Sequence, residues 1–197
     1  MIKKYYTKEN FDKEKYTAAQ IKRHALKSGK HRGEETYEYA CEDLMPFLPQ
    51  GFSKLEMICL GTRNNWERDV FKSLLKKVEV YSLDIAPASG ADYIMDFNSF
   101  PSNWKDKWDI IYSNSIDHSM SPDDCFKEWV IILKPGVIMY TYWDTQNSEK
   151  ITPTAADCSI FSKEAVEKAM EESSPNIEIL SEKDGRWLIK KKEKQHG

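Results

Sequence analysis

The sequence lacks any long apolar run. None of its 197 residues belongs to a stretch approaching the roughly 20 apolar residues that a membrane-spanning helix needs. The beginning of the chain is charged and aromatic, whereas a secretory signal peptide has an apolar centre. We therefore expect a cytoplasmic protein with no membrane association.

Cysteine is scarce, and the cysteines are widely spaced. The four lie at positions 41, 59, 125 and 158, with no close pair among them. That spacing argues against a zinc knuckle and against the disulfide framework of a small secreted domain. The sequence predicts a protein of a reducing compartment with no metal site.

The chain also lacks internal repeats and any linker rich in Pro, Gly and Ser, which predicts a single domain. Charge is distributed unevenly: residues 1–33 carry ten Lys or Arg against three acids, and the remainder carries 19 against 29. We predict a basic amino-terminal arm at 1–33 and one domain at 34–197. The arm is interpreted either as a solvated segment or as a lid that closes over a ligand and recruits an anionic molecule. Nucleic acid is a disfavoured partner because the rest of the chain is acidic.

Strand and helix patterns alternate from residue 55 onward, which predicts an α/β fold. Such alternation builds a mostly parallel sheet of seven strands with helices on both faces. Asp184-Gly185 between two extended runs predicts an antiparallel hairpin at the carboxyl end. The predicted strands are 55–60, 78–85, 92–95, 108–112, 137–143, 177–181 and 186–190, and the predicted helices are 34–48, 66–76, 122–133 and one that begins after Ser162.

The segment from Trp108 to His118 begins as a buried strand and ends in polar residues. Ligands of open α/β sheets bind beyond the carboxyl ends of the strands, so chemistry is expected here. His118 is suited to accept a proton near neutral pH, with Asp117 as its orienting partner or as a substitute base. The alternative for both side chains is a simple polar contact in the loop.

The turn after the first strand of this sheet contains Gly61, which permits close approach of a ligand to the backbone. Asn64 and Asn65 tolerate the left-handed conformations usually taken by glycine. Exposed backbone N–H groups in this turn would cradle a nucleotide-like cofactor. An ordinary connection between a strand and a helix is the alternative.

Two acidic positions follow the next two predicted strands. Asp84 closes the second strand, where a carboxylate can accept hydrogen bonds from both hydroxyls of a ribose. Asp96 and Phe97 pair a carboxylate with an aromatic ring, which suits the amino group and the face of an adenine. A solvent-facing aspartate at a strand end is the alternative for Asp84.

This order of parts resembles the class I S-adenosylmethionine-dependent methyltransferases from about residue 54 to the end. Gly61, Asp84 and Asp96 match, in order, positions that hold the methionine, ribose and adenine parts of the cofactor in that family. Along and after the fourth predicted strand, an Asp, a Ser-Asn pair and a His have the spacing found in many members of that family. The Lys-Pro-Gly before the fifth strand is also similar to the family. Those residues are Asp109, Ser113, Asn114 and His118, and Lys134, Pro135 and Gly136.

The sequence also departs from the family pattern at the loop that follows the first strand. The usual glycine-rich loop is replaced by Gly61-Thr62-Arg63-Asn64-Asn65, and Cys59 stands where an acid is common. Glu67 is a candidate to replace that acid as the partner of the methionine ammonium, or else it stabilises the start of its helix.

The resemblance implies a Rossmann-like fold, S-adenosylmethionine as cofactor, and methyl transfer to oxygen or nitrogen of a small metabolite or sugar derivative, with an anionic acceptor among the options. An inactive methyltransferase-like binding or scaffold domain is one alternative. A nicotinamide-dependent oxidoreductase is another, but it would need a fuller glycine fingerprint. The candidate cofactor-binding residues are Gly61, Thr62, Arg63, Asn64, Glu67, Asp84, Ile85, Asp96, Phe97, Ser113 and Asn114. Trp143 and Asp144 end the fifth predicted strand at the same edge of the sheet and are, with His118, the candidate acceptor-binding residues. The candidate catalytic residues are His118 and Asp117.

Overall fold

A computed structural model describes residues 2–7, 9–27, 33–48, 51, 54–142 and 152–193. The strands are β1 Ile2–Lys4, β2 Leu55–Leu60, β3 Val78–Asp84, β4 Tyr93–Ile94, β5 Trp108–Ser113, β6 Leu133–Tyr142, β7 Ser159–Phe161, β8 Ile177–Lys183 and β9 Arg186–Lys191. The α-helices are α1 Lys13–Lys27, α2 Glu35–Leu44, α3 Trp66–Leu74, α4 Pro122–Ile132 and α5 Lys163–Ser173.

A seven-stranded sheet forms the centre of the molecule, in the order β4-β3-β2-β5-β6-β9-β8. The first five of these strands are mutually parallel, whereas β9 is antiparallel to β6 and to β8. Asp184 and Gly185 both have positive φ angles, as a tight hairpin turn between β8 and β9 requires. The predicted mostly parallel sheet and its antiparallel carboxyl-terminal hairpin are confirmed.

Helices cover both faces of this sheet. Successive side chains of a strand point to opposite faces, so neighbouring residues of one strand contact different helices. On β2, Ile58 packs into the cluster that contains residues of α4 and α5. Its neighbours Met57 and Cys59 pack into the cluster that contains residues of α2 and α3. The sequence prediction of helices on both faces is therefore confirmed. No helix in the described ranges is long and apolar enough to cross a membrane.

The strand Leu55–Leu60 has the predicted bounds, whereas the bounds of the other six predicted strands differ by one to four residues. The strand predicted at 92–95 is reduced to two residues, since the Asp92 carboxylate turns back to accept hydrogen bonds from the Ser82 amide and from Arg68. The strand predicted from Val137 begins at Leu133 and contains an irregularity opposite Trp108 and Ile110.

Asp109 has a structural role at the amino end of β5. Its Oδ2 atom accepts a hydrogen bond from Lys134 Nζ at 2.8 Å and another from the Glu56 amide at 3.0 Å. Lys134 belongs to the Lys-Pro-Gly segment, so these contacts tie the start of β6 to the beginnings of β5 and β2. Asp109 thus lies at the edge of the sheet opposite to the one where function was expected.

The amino-terminal segment contains structure that the sequence analysis did not predict. Strand β1 pairs antiparallel with β7 to form a separate two-stranded sheet. Helix α1 packs on the main domain through Tyr16, which is only 2% exposed, and Tyr6 is buried beside it. The described residues of the predicted arm therefore lie against the domain, while its movement as a lid stays a prediction.

We expect the thiols of the native protein to react slowly. All four cysteines are buried and unpaired, and burial raises the pKa of Cys41 to about 11 and that of Cys158 to about 12. Because the thiolate is the reactive form, Cys41 should be alkylated at pH 8 about 100-fold more slowly than an ordinary thiol. Iodoacetamide labelling before and after unfolding in urea checks this. Equal rates in the two states would contradict the described burial.

Candidate active site

A pocket lies beyond the carboxyl ends of four adjacent strands, β4, β3, β2 and β5. The chain passes from β2 outward to β3 and β4 and then crosses to β5 on the other side of β2, so the pocket is at a topological switch point. The pocket is open, and the empty space at it is about 490 Å³, a figure that includes open solvent outside its walls. Its walls are formed by Tyr16, Gln20, Arg23, Gly61, Arg63, Asp84, Ile85, Asp96, Phe97, Ser115 and His118.

Seven residues proposed for the site from the sequence line this pocket together. They follow the ends of the four strands and are Gly61, Arg63, Asp84, Ile85, Asp96, Phe97 and His118. The agreement follows from the topology, because parallel strands deliver their carboxyl ends to one edge. Trp143 and Asp144 lie outside the described residues.

Three residues of the loop after β2 adopt left-handed conformations. They are Gly61, Arg63 and Asn65, with φ angles of +78°, +53° and +61°. Asn65 thus adopts the left-handed conformation that an asparagine tolerates, and Arg63, rather than Asn64, is the other non-glycine residue of the loop that does so. Asn65 is fixed by its side chain, whose Nδ2 donates to the Gly90 carbonyl at 2.7 Å.

The backbone N–H groups of this loop are not exposed, contrary to the sequence expectation. The amides of Gly61 and Thr62 both donate to the Leu83 carbonyl, and the Arg63 amide donates to the Asp84 carboxylate. The Asn64 and Asn65 amides donate to the Thr62 carbonyl within the turn. These internal hydrogen bonds stabilise the loop. Its contacts with a ligand would therefore come from the surface at Gly61 and from side chains.

Several residues implied by the family resemblance do not line the pocket and interact with other parts of the protein. Thr62 and Ser113 are buried: the Thr62 hydroxyl donates to Asn65, and the Ser113 hydroxyl donates to the Leu60 carbonyl. The Asn114 amide donates to the Tyr112 hydroxyl at 3.4 Å. Burial, followed by the charge of nearby Glu67, raises the pKa of the Cys59 thiol. A role for these four in binding a cofactor stays a prediction.

Asp84 is a buried acid of the pocket, only 6% exposed, and hydrogen bonds fix its carboxylate. Its Oδ2 atom accepts from the Arg63 amide at 2.8 Å, and its Oδ1 atom accepts from the Ala86 amide at 2.7 Å. The carboxylate thereby joins the loop after β2 to the loop after β3. An ionised carboxylate is an acceptor with two oxygens, which is the chemistry that a ligand with two adjacent hydroxyl groups requires.

Asp96 and Phe97 form a neighbouring wall with a fixed geometry. The Phe97 ring packs edge-to-face on Trp129 at 5.7 Å between centroids, and the Trp129 indole donates to the Phe97 carbonyl at 3.0 Å. The Oδ1 atom of Asp96 accepts hydrogen bonds from the amide and the side chain of Asn98. The pair therefore offers an ordered aromatic ring beside a carboxylate.

His118 lies in a short 3₁₀ turn after β5, and its side chain is 17% exposed. Its Nδ1 atom is 2.9 Å from the Ala156 carbonyl oxygen and 3.2 Å from Gln20 Oε1. Its Nε2 atom lies 3.9 Å from Asp117 Oδ1 and 3.7 Å from Asp157 Oδ1. The imidazole is therefore held through one nitrogen, while the other faces two carboxylates.

The sequence analysis missed the residues that helix α1 contributes to the pocket. Tyr16, Gln20 and Arg23 share one face of this helix, at the i, i+4, i+7 spacing that could have revealed them. Arg23 pairs with Asp157 at 2.6 Å, and the Tyr16 hydroxyl accepts from Asn98 at 3.0 Å. Burial, followed by the charge of nearby Asp96, raises the pKa of the Tyr16 phenol, so it stays neutral.

Replacing Gly61 with alanine should destabilise the fold. The residue has a left-handed conformation, and a Cβ there would meet the Cβ of Ser115 at 2.7 Å. Conformational strain and overpacking together predict a loss of about 3 kcal/mol in the free energy of unfolding, measured by urea denaturation. Gly90→Ala is the control, because Gly90 is also left-handed but its Cβ would make only an ordinary contact. Equal losses in the two variants would contradict the close approach of Ser115 to Gly61.

No protein-family model matches the chain, and no curated protein matches its sequence. Solved structures do match its fold. Geranyl diphosphate C-methyltransferase from Streptomyces coelicolor A3(2), in complex with Mg²⁺, geranyl diphosphate and S-adenosyl-L-homocysteine, matches with a TM-score of 0.60 and 12% identity, over 88% of this chain and 96% of that one.

Two further structures differ in their stated activities. Phospholethanolamine N-methyltransferase 2 from Haemonchus contortus, in complex with phosphomonomethylethanolamine and S-adenosylhomocysteine, has a TM-score of 0.57 and 16% identity, over 75% of this chain and 39% of that one. The [4+2]-cyclase SpnF has a TM-score of 0.57 and 14% identity, over 75% of this chain and 58% of that one.

The chain spans little more than half the length of several of the similar structures, including SpnF and the methyltransferase domains of CurJ and the citrinin polyketide synthase. At identities between 12% and 16%, the three structures described above establish the fold. The order of the seven strands and these similarities agree. The chain has the Rossmann-like fold of the class I S-adenosylmethionine-dependent methyltransferases.

Proposed function

We propose that this protein is an S-adenosylmethionine-dependent methyltransferase. The observation that carries the proposal is the position of Asp84 at the end of β3, in one pocket with Gly61 and Phe97. A carboxylate at this point of the sheet suits the ribose of a nucleoside. Two of the similar structures are complexes with S-adenosylhomocysteine, which supports the choice of cofactor.

The residues of the pocket fit the adenosyl part of this cofactor. The Asp84 carboxylate, which accepts the amides of Arg63 and Ala86, is the acceptor group that would receive the two ribose hydroxyls. Asp96, with the Phe97 ring and Ile85, would hold the adenine. Arg63 lines the same pocket, and its guanidinium would pair with the methionine carboxylate. Asn64 and Glu67 are further candidates for the methionine end.

The bound cofactor would supply a methyl group on a positively charged sulfur, and the protein would hold the acceptor in line with it. His118 Nε2 is the group of this chain that would take the proton from an acceptor hydroxyl. Asp117 and Asp157 face that nitrogen and would stabilise the resulting imidazolium.

We further propose that the acceptor is a small metabolite or a sugar derivative that is methylated on oxygen or nitrogen. The basic residues of segment 1–33 favour an acceptor with negative charge. Arg23 is not free for this purpose, because it pairs with Asp157. Trp143 and Asp144, which follow the carboxyl end of β6 in the sequence, are additional candidates for acceptor contacts.

A second candidate function is a binding domain without methyl transfer. The internally bonded amides of the loop after β2 favour it, because they leave fewer donors for a ligand than a glycine-rich loop would offer. The cyclase SpnF has a similar fold and a different stated activity, so the fold alone does not decide the reaction.

Calorimetric titration tests the proposal. We expect S-adenosylhomocysteine to bind with micromolar affinity and NAD⁺ not to bind measurably. Binding of NAD⁺ without S-adenosylhomocysteine would favour the oxidoreductase and overturn the proposal. Labelled S-adenosylmethionine with a panel of hydroxyl and amine acceptors then separates the two candidate functions. Saturable cofactor binding with no transfer to any acceptor would favour the binding domain.

A further inference from the structure

We infer that Gln20, on the amino-terminal helix α1, is a positioning residue that fixes the protonation geometry of His118. The inference rests on the proposed function, because it assumes that His118 is the base. It gives part of the predicted arm a defined role in the active site. Helix α1 would orient the proton-accepting side chain, His118, as well as cover the pocket.

The orientation of the Gln20 side chain follows from its neighbours. Gln20 is 8% exposed, and its Nε2 atom lies 2.9 Å from the Ala156 carbonyl oxygen and 3.3 Å from that of His118. Carbonyl oxygens only accept hydrogen bonds, so the NH₂ end of the amide must face them. The Gln20 Oε1 atom is thereby directed to His118 Nδ1, at 3.2 Å.

These neighbours determine which nitrogen of His118 carries the proton. Nδ1 faces two acceptors, Gln20 Oε1 and the Ala156 carbonyl, and a lone pair there would be repelled by both. The neutral imidazole must therefore carry its proton on Nδ1 and its lone pair on Nε2. Because Gln20 also donates to Ala156, it holds in place the second acceptor that orients the ring.

The charged and titratable groups around His118 are arranged to receive a proton at Nε2. Asp117 belongs to the same turn, Asp157 and Cys158 come from the segment after residue 151, and Tyr16 and Arg23 come from α1. Arg23 binds Asp157 Oδ2, which leaves Oδ1 directed to the imidazole. When the O–H bond of an acceptor breaks, the new N–H bond at Nε2 would face two carboxylates.

Nuclear magnetic resonance of ¹⁵N-labelled histidine tests this directly, without cofactor or acceptor. The chain has only four histidines, so a His118→Gln variant assigns the signal. We expect the neutral imidazole of His118 to be protonated on Nδ1 in the unmodified protein. In Gln20→Met, which keeps the side-chain length without polar atoms, we expect both tautomers.

A second variant tests the same contact through charge. Gln20→Glu places a carboxylate beside Nδ1, so the pH midpoint of the His118 signal should rise by about one unit. Ala18→Glu is the matched control, because it adds the same charge at an exposed position of α1, where salt screens it and the midpoint should move by less than about 0.3 unit. If Gln20→Glu does not fold, as judged from its amide spectrum, the tautomer ratio of Gln20→Met carries the test.

The inference would be overturned by a neutral His118 protonated on Nε2 in the unmodified protein, or by an unchanged tautomer ratio in Gln20→Met. An equal shift of the midpoint in Gln20→Glu and Ala18→Glu would also overturn it. Failure of the proposed function is detected separately, since absence of methyl transfer leaves the tautomer measurement unaffected. Once an acceptor is known, the acid limb of the pH–rate profile should move with the midpoint in Gln20→Glu.

Discussion

Asp84→Asn should lower the affinity for S-adenosylhomocysteine about 100-fold. Two hydrogen bonds from ribose hydroxyls to a charged carboxylate are worth about 1.5 kcal/mol or more each, and a combined loss of about 3 kcal/mol corresponds to this factor. The amide end of an asparagine would also oppose the amide of Arg63 or Ala86, both of which donate to Asp84. Calorimetry with the purified variant measures the loss.

Asp92→Asn is the matched control for this prediction. Like Asp84, Asp92 accepts a hydrogen bond from a backbone amide of the same sheet, that of Ser82, at 2.8 Å. It also forms an ion pair with Arg68, but it does not line the pocket. Hydrogen bonds and the nearby Arg68 charge lower the pKa of this carboxyl despite its partial burial. We expect Asp92→Asn to lose stability while keeping its affinity within about threefold, since the affected hydrogen bonds join Asp92 to Ser82 and Arg68, outside the pocket. A similar loss of affinity in both variants would show that Asp84 acts through the fold alone.

His118→Asn should lower the rate of methyl transfer to a hydroxyl acceptor by about 10²- to 10⁴-fold, the range expected when a general base is removed. The affinity for S-adenosylhomocysteine should change little, because Asp84, Asp96 and Phe97 are untouched. The asparagine can still donate a hydrogen bond to the Ala156 carbonyl, so the local turn should persist. Single-turnover rates with labelled cofactor measure the effect.

The pH dependence of these rates provides the control. The unmodified enzyme should lose activity toward acid pH as His118 becomes protonated, and this acid limb should be absent from His118→Asn. Asp117→Asn keeps the base but removes one of the two carboxylates that face it, so it should lower the rate of methyl transfer by about tenfold or less. A His118→Asn variant with an unchanged rate and an unchanged acid limb would exclude His118 as the base.

The sheet could be predicted from the sequence because its strands are short apolar runs that end in polar or glycine residues. Leu55–Leu60 has the predicted bounds, and the turn at Asp184-Gly185 sets the antiparallel hairpin. The strand predicted at 92–95 was too long, since the bonds of Asp92 to Ser82 and Arg68 depend on tertiary contacts. A sequence pattern contains no information about such contacts.

The candidate site could be predicted only in part, for the same reason. Asp84 and Phe97 were found because topology places strand ends at one edge of the sheet. Gln20 and Asp157 were missed because they meet His118 across separations of 98 and 39 residues, from segments that carry no motif. The exposure of the loop amides was predicted wrongly, since their acceptors on Leu83 and Asp84 belong to the neighbouring strand.

A crystal structure with bound S-adenosylhomocysteine tests the central claim most directly. The account predicts that both ribose hydroxyls lie within hydrogen-bonding distance of the Asp84 carboxylate, with the adenine beside Phe97 and the sulfur on the side of His118. It would be contradicted by a nucleoside bound elsewhere on the protein. It would equally be contradicted if crystals prepared at saturating ligand show no nucleoside in the pocket that Tyr16, Gln20 and Arg23 line.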